Sequence, residues 1–191
     1  KHSKLYSKLS MSLIQKAFET FQISSSGFSI NLSYLDMTNI VTTTFIIEKL
    51  EEFNVGPWVI FEILESDGIE NYDAVSKFIE KVKSYGAKIA IDDFGAGYSN
   101  FERLAELRVD FIKIDGSLIR NIDKNDEMKI IVRTIVSFAK ELGIKTIAEY
   151  VHSQSVLECV KEIGIDCAQG FHIGKPSPEL ESASEPTLKR V

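Results

Sequence analysis

The chain has 191 residues, 44% hydrophobic and 26% charged, with 22 basic against 28 acidic side chains for a net charge of −6. That is the size and balance of one globular domain with a sizeable core, and it speaks against a broad basic surface for duplex nucleic acid. No apolar run approaches the roughly 20 residues that span a bilayer, and the polar, basic opening residues are not expected to act as a signal peptide.

Met11, Leu13, Ile14, Ala17, Phe18 and Phe21 recur at helical spacing, and Gly27 ends that segment. Phe28 to Leu32 is predicted as a strand, and a helix follows over Thr44 to Phe53. Gly56-Pro57 breaks it, and Trp58 to Leu64 is a long apolar strand with Glu62 inside it. Val75, Phe78, Ile79 and Val82 line one face of the next helix, with Gly86 as its closing glycine. Lys88 to Asp93 is the following strand. Ser99 with Glu102 has capping-box spacing for another helix. Val109 to Asp115 is a strand, Glu127 to Leu142 an amphipathic helix closed by Gly143, and Lys145 to Glu149 a strand. Ser153 to Ile163 is a helix closed by Gly164, followed by a strand over Ile165 to Gln169.

Strands that are apolar on both faces and alternate with helices indicate a parallel α/β sheet. Six strands are legible, against about eight in a (β/α)8 barrel. A barrel with its first two strands missing from this chain fits the pattern; a doubly wound open sheet is the alternative. Residues 1–178 are expected to form one domain and 179–191, rich in Ser, Glu and Pro, a flexible tail. Cys159 and Cys167 have neither zinc nor CxxC spacing and are expected as buried reduced thiols, which fits the cytoplasm. The chain begins at Lys1 rather than Met, so an upstream segment, including a membrane tether, stays open.

The informative feature is where polar residues fall. Asn31, Glu62, Asp92, Asp93, Lys113, Glu149 and Gln169 each sit within or at the end of an otherwise apolar strand. Taken singly, each has an ordinary explanation. Glu62 suits an edge strand, Asp92 and Asp93 a turn, Lys113 with Asp115 an outward face, Asn31 a loop backbone and Gln169 the turn at Gly170. Parallel strands in a barrel, however, bring their C-terminal ends to one face, so one shared site explains all of them together. Crowded carboxylates need compensation, and hard divalent ions such as Mg²⁺, Mn²⁺ or Ca²⁺ suit oxygen donors. Adjacent carboxylates such as Asp92 and Asp93 suit a two-metal site, with ions about 3.5–4 Å apart. Gly95 and Gly97 then permit a loop or a close backbone approach.

Asn31-Leu32-Ser33, Phe61-Glu62-Ile63-Leu64-Glu65-Ser66 and Asp92-Asp93-Phe94-Gly95-Ala96-Gly97-Tyr98-Ser99 resemble successive motifs of the EAL family of cyclic-di-GMP phosphodiesterase domains. So do Ile112-Lys113-Ile114-Asp115, Ala148-Glu149-Tyr150-Val151, and Gln169-Gly170-Phe171 through Gly174-Lys175-Pro176. The resemblance implies a TIM-like (β/α)8 barrel and Mg²⁺- or Mn²⁺-dependent hydrolysis of cyclic di-GMP to linear pGpG. It implies Asn31, Glu62, Asp92 and Asp93 as metal ligands and Glu149 as a metal ligand or the water-activating carboxylate. Lys113 would orient that water and offset phosphate charge, Gln169 and Pro176 would contact the ligand, and Glu65 would brace the loop from Phe94 to Asn100. Implied partners are cyclic di-GMP, a second copy through the barrel, and an upstream sensor or GGDEF domain.

Two departures stand out. The strand carrying the name-giving Glu-Ala-Leu, itself a source of a metal ligand, is absent from this chain, and His152 stands where the family usually has Glu. They leave a second reading open, a catalytically degenerate EAL domain acting as a cyclic-di-GMP receptor or protein-interaction module. A third is a different metal-dependent barrel enzyme acting on small carbon substrates. His172 matches no family role and is expected to be structural.

Overall fold

The structure, a computed structural model, describes residues 2–24, 26–64, 71–97, 101–177 and 189–190. The chain divides into two units, Lys1–Ile89 and Ala90–Val191, each with its own parallel strands.

The first unit opens with helix α1 (His2–Phe21), which begins well before Met11 because no breaker interrupts the Lys-, Ser- and Leu-rich opening stretch. Strand β1 (Phe28–Leu32) follows. Helix α2 (Tyr34–Thr38) is short and was not anticipated. Its signal is a capping box. The Ser33 side chain accepts the Asp36 N–H, and the Asp36 carboxylate accepts the Ser33 N–H at 3.0 Å. Asn39 then caps helix α3 (Ile40–Phe53), its side-chain oxygen accepting the Val41 N–H at 2.9 Å. That cap starts the helix ahead of Thr44. After the Gly56-Pro57 break come β2 (Val59–Leu64) and α4 (Tyr72–Lys83).

Strands β1 and β2 are parallel, with Ile30 opposite Phe61 and Asn31 opposite Glu62. Phe18 packs edge-on against Phe28 at 6.0 Å and Phe53 at 6.5 Å, while Phe21 stacks on Phe28 at 4.4 Å. Val75, Phe78, Ile79 and Val82 bury the expected face of α4. Gly56 lies against the Tyr85 carbonyl, where a Cβ has no room.

The boundary between the units falls inside β3 (Lys88–Phe94). The second unit continues with α5 (Phe101–Leu107), β4 (Phe111–Ile114), α6 (Gly116–Ile119) and α7 (Asp126–Glu141). Then come β5 (Lys145–Ala148), α8 (Gln154–Ile163), β6 (Cys167–Ala168) and β7 (Lys189–Arg190). Strands β3 to β6 pair in parallel with their sequence neighbours, and β7 is antiparallel to β6. The consecutive pairs Ala90 and Ile91, Phe111 and Ile112, and Ile147 and Ala148 are all buried, so these strands are covered on both faces. Helix α7 buries Val132, Ile135, Val136 and Ala139. Ser153 caps α8, which ends at left-handed Gly164, as the sequence pattern predicts.

Several strand ends differ from expectation, most at β4 and β6. β4 stops at Ile114 because the Asp115 side chain turns to accept the Ser117 N–H at 2.9 Å and cap α6. β6 as a regular strand is short, covering Cys167 and Ala168. Cys159 and Cys167 are reduced and buried, as expected. The expected cap at Ser99 lies outside the described residues. So does the expected tail, apart from Lys189 and Arg190. No helix among the described residues is long and apolar enough to cross a membrane.

Candidate functional site

The site in the second unit begins with an irregularity in β3. Ala90 is opposite Phe111 and Ile91 opposite Ile112, but the next pair is Phe94 with Ile114. Two residues, Asp92 and Asp93, therefore face the single Lys113: a β-bulge. Consecutive strand residues ordinarily point to opposite faces. Here Asp93 adopts φ of 56°, a left-handed conformation that Asp tolerates better than most side chains. Its N–H donates to Asp92 Oδ1 at 3.1 Å. The bulge lets both neighbours serve one place.

Glu149 arrives from β5. Ile147 is opposite Lys113, and Glu149, two residues further on, shares the face of Ile147. Its N–H still donates to the Ile114 carbonyl at 3.2 Å, extending the ladder past the last strand residue. Carboxylate oxygens of Asp92, Asp93 and Glu149 lie within 4.8 Å of one another. Lys113, buried on β4, places Nζ 2.7 Å from Asp92 Oδ1 and 3.0 Å from Glu149 Oε1.

Burial pushes the Asp93 carboxyl above the usual carboxylate range, and Asp92 and Asp115 push the same way while Lys113 opposes. Burial likewise raises Glu149, more than the charge and hydrogen bond of Lys113 lower it. One ammonium thus leaves the three carboxylates incompletely compensated. Clustered hard oxygen donors with uncompensated charge suit Mg²⁺, Mn²⁺ or Ca²⁺, so the residues present fit a divalent ion.

The residues after Glu149 are unusual. Tyr150 has φ of 56°. The Arg120 guanidinium carbon lies 4.5 Å from the Tyr150 ring centre, and the His152 imidazole meets that ring edge-on at 5.6 Å. His152 Nε2 is 2.9 Å from the Arg120 carbonyl oxygen, which makes that nitrogen the donor. His152 is exposed and stands outside the acidic group. His172 Nε2 is 3.1 Å from Gln154 Oε1. Gln169 and Pro176 are exposed. The Gln169 backbone continues the β5–β6 ladder, its N–H donating to the Ala148 carbonyl at 2.8 Å.

In the first unit, Asn31 and Glu62 are register neighbours on parallel strands, one exposed and the other half-buried. Side chains paired in that way share a face. Glu65 lies outside the described residues. The structure thus gathers Asp92, Asp93, Lys113 and Glu149 within the second unit, and sets Asn31 beside Glu62 within the first. Sequence patterning did not single out Arg120 or Tyr150, since neither interrupts a strand.

The family profile of the EAL domain matches residues 1–176. The chain is 36% identical over 159 residues to the cyclic di-GMP phosphodiesterase PdeF of Escherichia coli (strain K12), covering 83% of this chain and 21% of that protein. It is 32% identical over 172 residues to the cyclic di-GMP phosphodiesterase PdeA of Borreliella burgdorferi, covering 87% and 26%. The chain therefore spans about a fifth to a quarter of the length of such curated relatives. Among solved structures, the PaMucR phosphodiesterase in complex with c-di-GMP matches with a TM-score of 0.84 at 27% identity, over 93% of this chain and 80% of that one. The Klebsiella pneumoniae BlrP1 calcium/cy-diGMP complex matches with a TM-score of 0.78 at 27% identity, over 86% and 43%. A manganese complex of BlrP1 matches as well. These likenesses show the fold as α/β of the TIM-like barrel class, incomplete beside the solved domains, in keeping with the strand pattern.

Proposed function

The chain belongs to the EAL-domain family, and from that premise we propose that it works, when the Glu-Ala-Leu strand is present, as a cyclic-di-GMP phosphodiesterase, hydrolysing the cyclic dinucleotide to linear pGpG. The observation that carries the proposal is the gathering of Asp92, Asp93 and Glu149 around Lys113.

Asp92, Asp93 and Glu149 would hold Mg²⁺ or Mn²⁺, while Asn31 and Glu62 carry the ligand role that the family resemblance implies. Such ions supply Lewis-acid stabilisation of the phosphate and an activated water. Lys113 pins Asp92 and Glu149 through its own hydrogen bonds. Its ammonium also offsets charge that builds on the phosphate oxygens in the transition state. Glu149, 3.0 Å from Lys113 Nζ, would take up the proton released by the attacking water. The water oxygen bonds to phosphorus, the bond from phosphorus to the ribose 3′-oxygen breaks, and that oxygen leaves by taking a proton from solvent water. Gln169, exposed just past β6, offers an amide donor and acceptor to the ligand, and Pro176 offers apolar surface. Glu65 is carried as the proposed loop brace. Buried reduced thiols suit a reducing cytoplasm.

A second reading, a cyclic-di-GMP receptor that does not cleave, is favoured by the placement of His152 outside the acidic group. Incubation of the intact parent protein with cyclic di-GMP and Mn²⁺, followed by chromatography for pGpG, separates the two. The enzyme reading expects linear product that disappears in Asp93→Asn. Tight binding with no linear product would establish the receptor instead.

A further inference from the structure

We propose that Arg120, Tyr150 and His152 form a brace that holds Glu149 against Lys113, making Arg120 and Tyr150 positioning residues of the metal centre. As a statement about metal binding, this rests on the reading of the acidic group as that centre.

Tyr150 directly follows Glu149 and has φ of 56°. A bulky aromatic side chain in the left-handed region is a genuine outlier, and such conformations persist where the surroundings over-determine them. The surroundings here are specific. The Arg120 guanidinium lies 4.5 Å from the ring centre, a cation–π distance. Gly116 lets the Tyr150 side chain approach closely, since a Cβ on Gly116 would come within 2.9 Å of Tyr150 Cβ. The His152 imidazole closes the ring's edge at 5.6 Å and is itself pinned to the Arg120 carbonyl at 2.9 Å. Contacts on several sides of one ring thus fix the peptide that carries Glu149.

The placement of the partners ties this to the site. Gly116 opens α6 and Arg120 closes it. The helix follows Lys113 after only Ile114 and the capping Asp115. The connection that leaves the lysine strand therefore also supplies the platform for the residue after Glu149. Arg120 and Tyr150 are both exposed, so their contact adds little to the core. A surface stack of this kind matters for where Glu149 points more than for whether the chain folds.

The test uses Arg120→Ala, with Tyr150→Asn as a second variant that removes the ring while tolerating the left-handed backbone, and Tyr150→Phe as the conservative control. Calorimetry with Mn²⁺ alone should show about tenfold to a hundredfold weaker binding in the first two, with the melting temperature close to wild type. Tyr150→Phe should keep the wild-type affinity. Crystals of metal-free Arg120→Ala should show Glu149 Oε1 out of hydrogen-bond reach of Lys113 Nζ. Wild-type Mn²⁺ affinity in both Arg120→Ala and Tyr150→Asn overturns the proposal. So does a Glu149–Lys113 distance still near 3.0 Å in the variant crystal. If the wild-type protein takes up no Mn²⁺, it is the metal-dependent reading that fails, and the crystal still decides the brace.

Discussion

Lys113 Nζ lies 2.7 Å from Asp92 Oδ1 across a bulge that sets two aspartates opposite one lysine. The lysine side chain is 5% exposed and that of Asp92 14%, so the pair sits largely away from solvent screening. Removing one partner of such a pair strands the other, which costs more than the pair itself contributes. Lys113→Met should therefore lower unfolding stability in urea by on the order of 3 kcal/mol. Turnover of cyclic di-GMP should fall about a hundredfold or more. A stability loss below about 1 kcal/mol would mean that the pair behaves as a surface ion pair.

Asp93 carries both a charge and a left-handed backbone, and substitutions separate the two. Asn tolerates the same φ. Asp93→Asn should therefore fold as stably as wild type, and its Mn²⁺ affinity should drop by at least about tenfold as a charged ligand is lost. Asp93→Ala adds strain at φ of 56° and should cost a further ~1 kcal/mol or more. Equal stability of the two variants in urea would refute the backbone argument.

Gly170 has φ of 153° and lies against the backbone of Val151, where no Cβ fits. Gly170→Ala should lose roughly 1–3 kcal/mol, read from the urea midpoint. Because Val151 is two residues from Glu149, Mn²⁺ binding should weaken together with stability. A fully stable Gly170→Ala protein would show that this turn relaxes freely.

Burial pushes the Cys159 thiol up, with Lys129 pulling the other way. The unfolded thiol ionises near pH ~8.5 and the folded one at higher pH. Unfolding thus releases protons in that range, and stability should be flat below about pH 8 and fall as pH rises through the unfolded value. Urea midpoints at neutral and alkaline pH should show a fall that Cys159→Ala reduces. Cys159 and Cys167, 8% and 7% exposed, should react with thiol reagents only in denaturant. Rapid labelling of the folded protein would contradict their burial.

Much of the architecture was legible because the local signals were strong. Val75, Phe78, Ile79 and Val82 marked the inner face of α4, and Ser153 and Gly164 marked both ends of α8. Helix α2 escaped notice because its cap, Ser33 with Asp36, follows a strand directly and the helix is too short to show a period. Helix α6 escaped for a related reason. Asp115 read as the last residue of a strand, and only its bond to the Ser117 N–H reveals it as a cap.

The amino-acid sequence by itself determined that carboxylates, two carboxamides and a lysine lie within or at the ends of successive apolar strands, because parallel β/α alternation puts such residues there whatever the details of packing. Tertiary structure alone decided which of them meet. Strand alternation would send Asp92 and Asp93 to opposite faces, and only pairing with β4 creates the bulge that turns both toward Lys113. That pairing is a contact between segments distant in sequence. The left-handed backbone at Asp93 and Tyr150 follows from it and from the Arg120 stack, neither of which a local run of residues encodes.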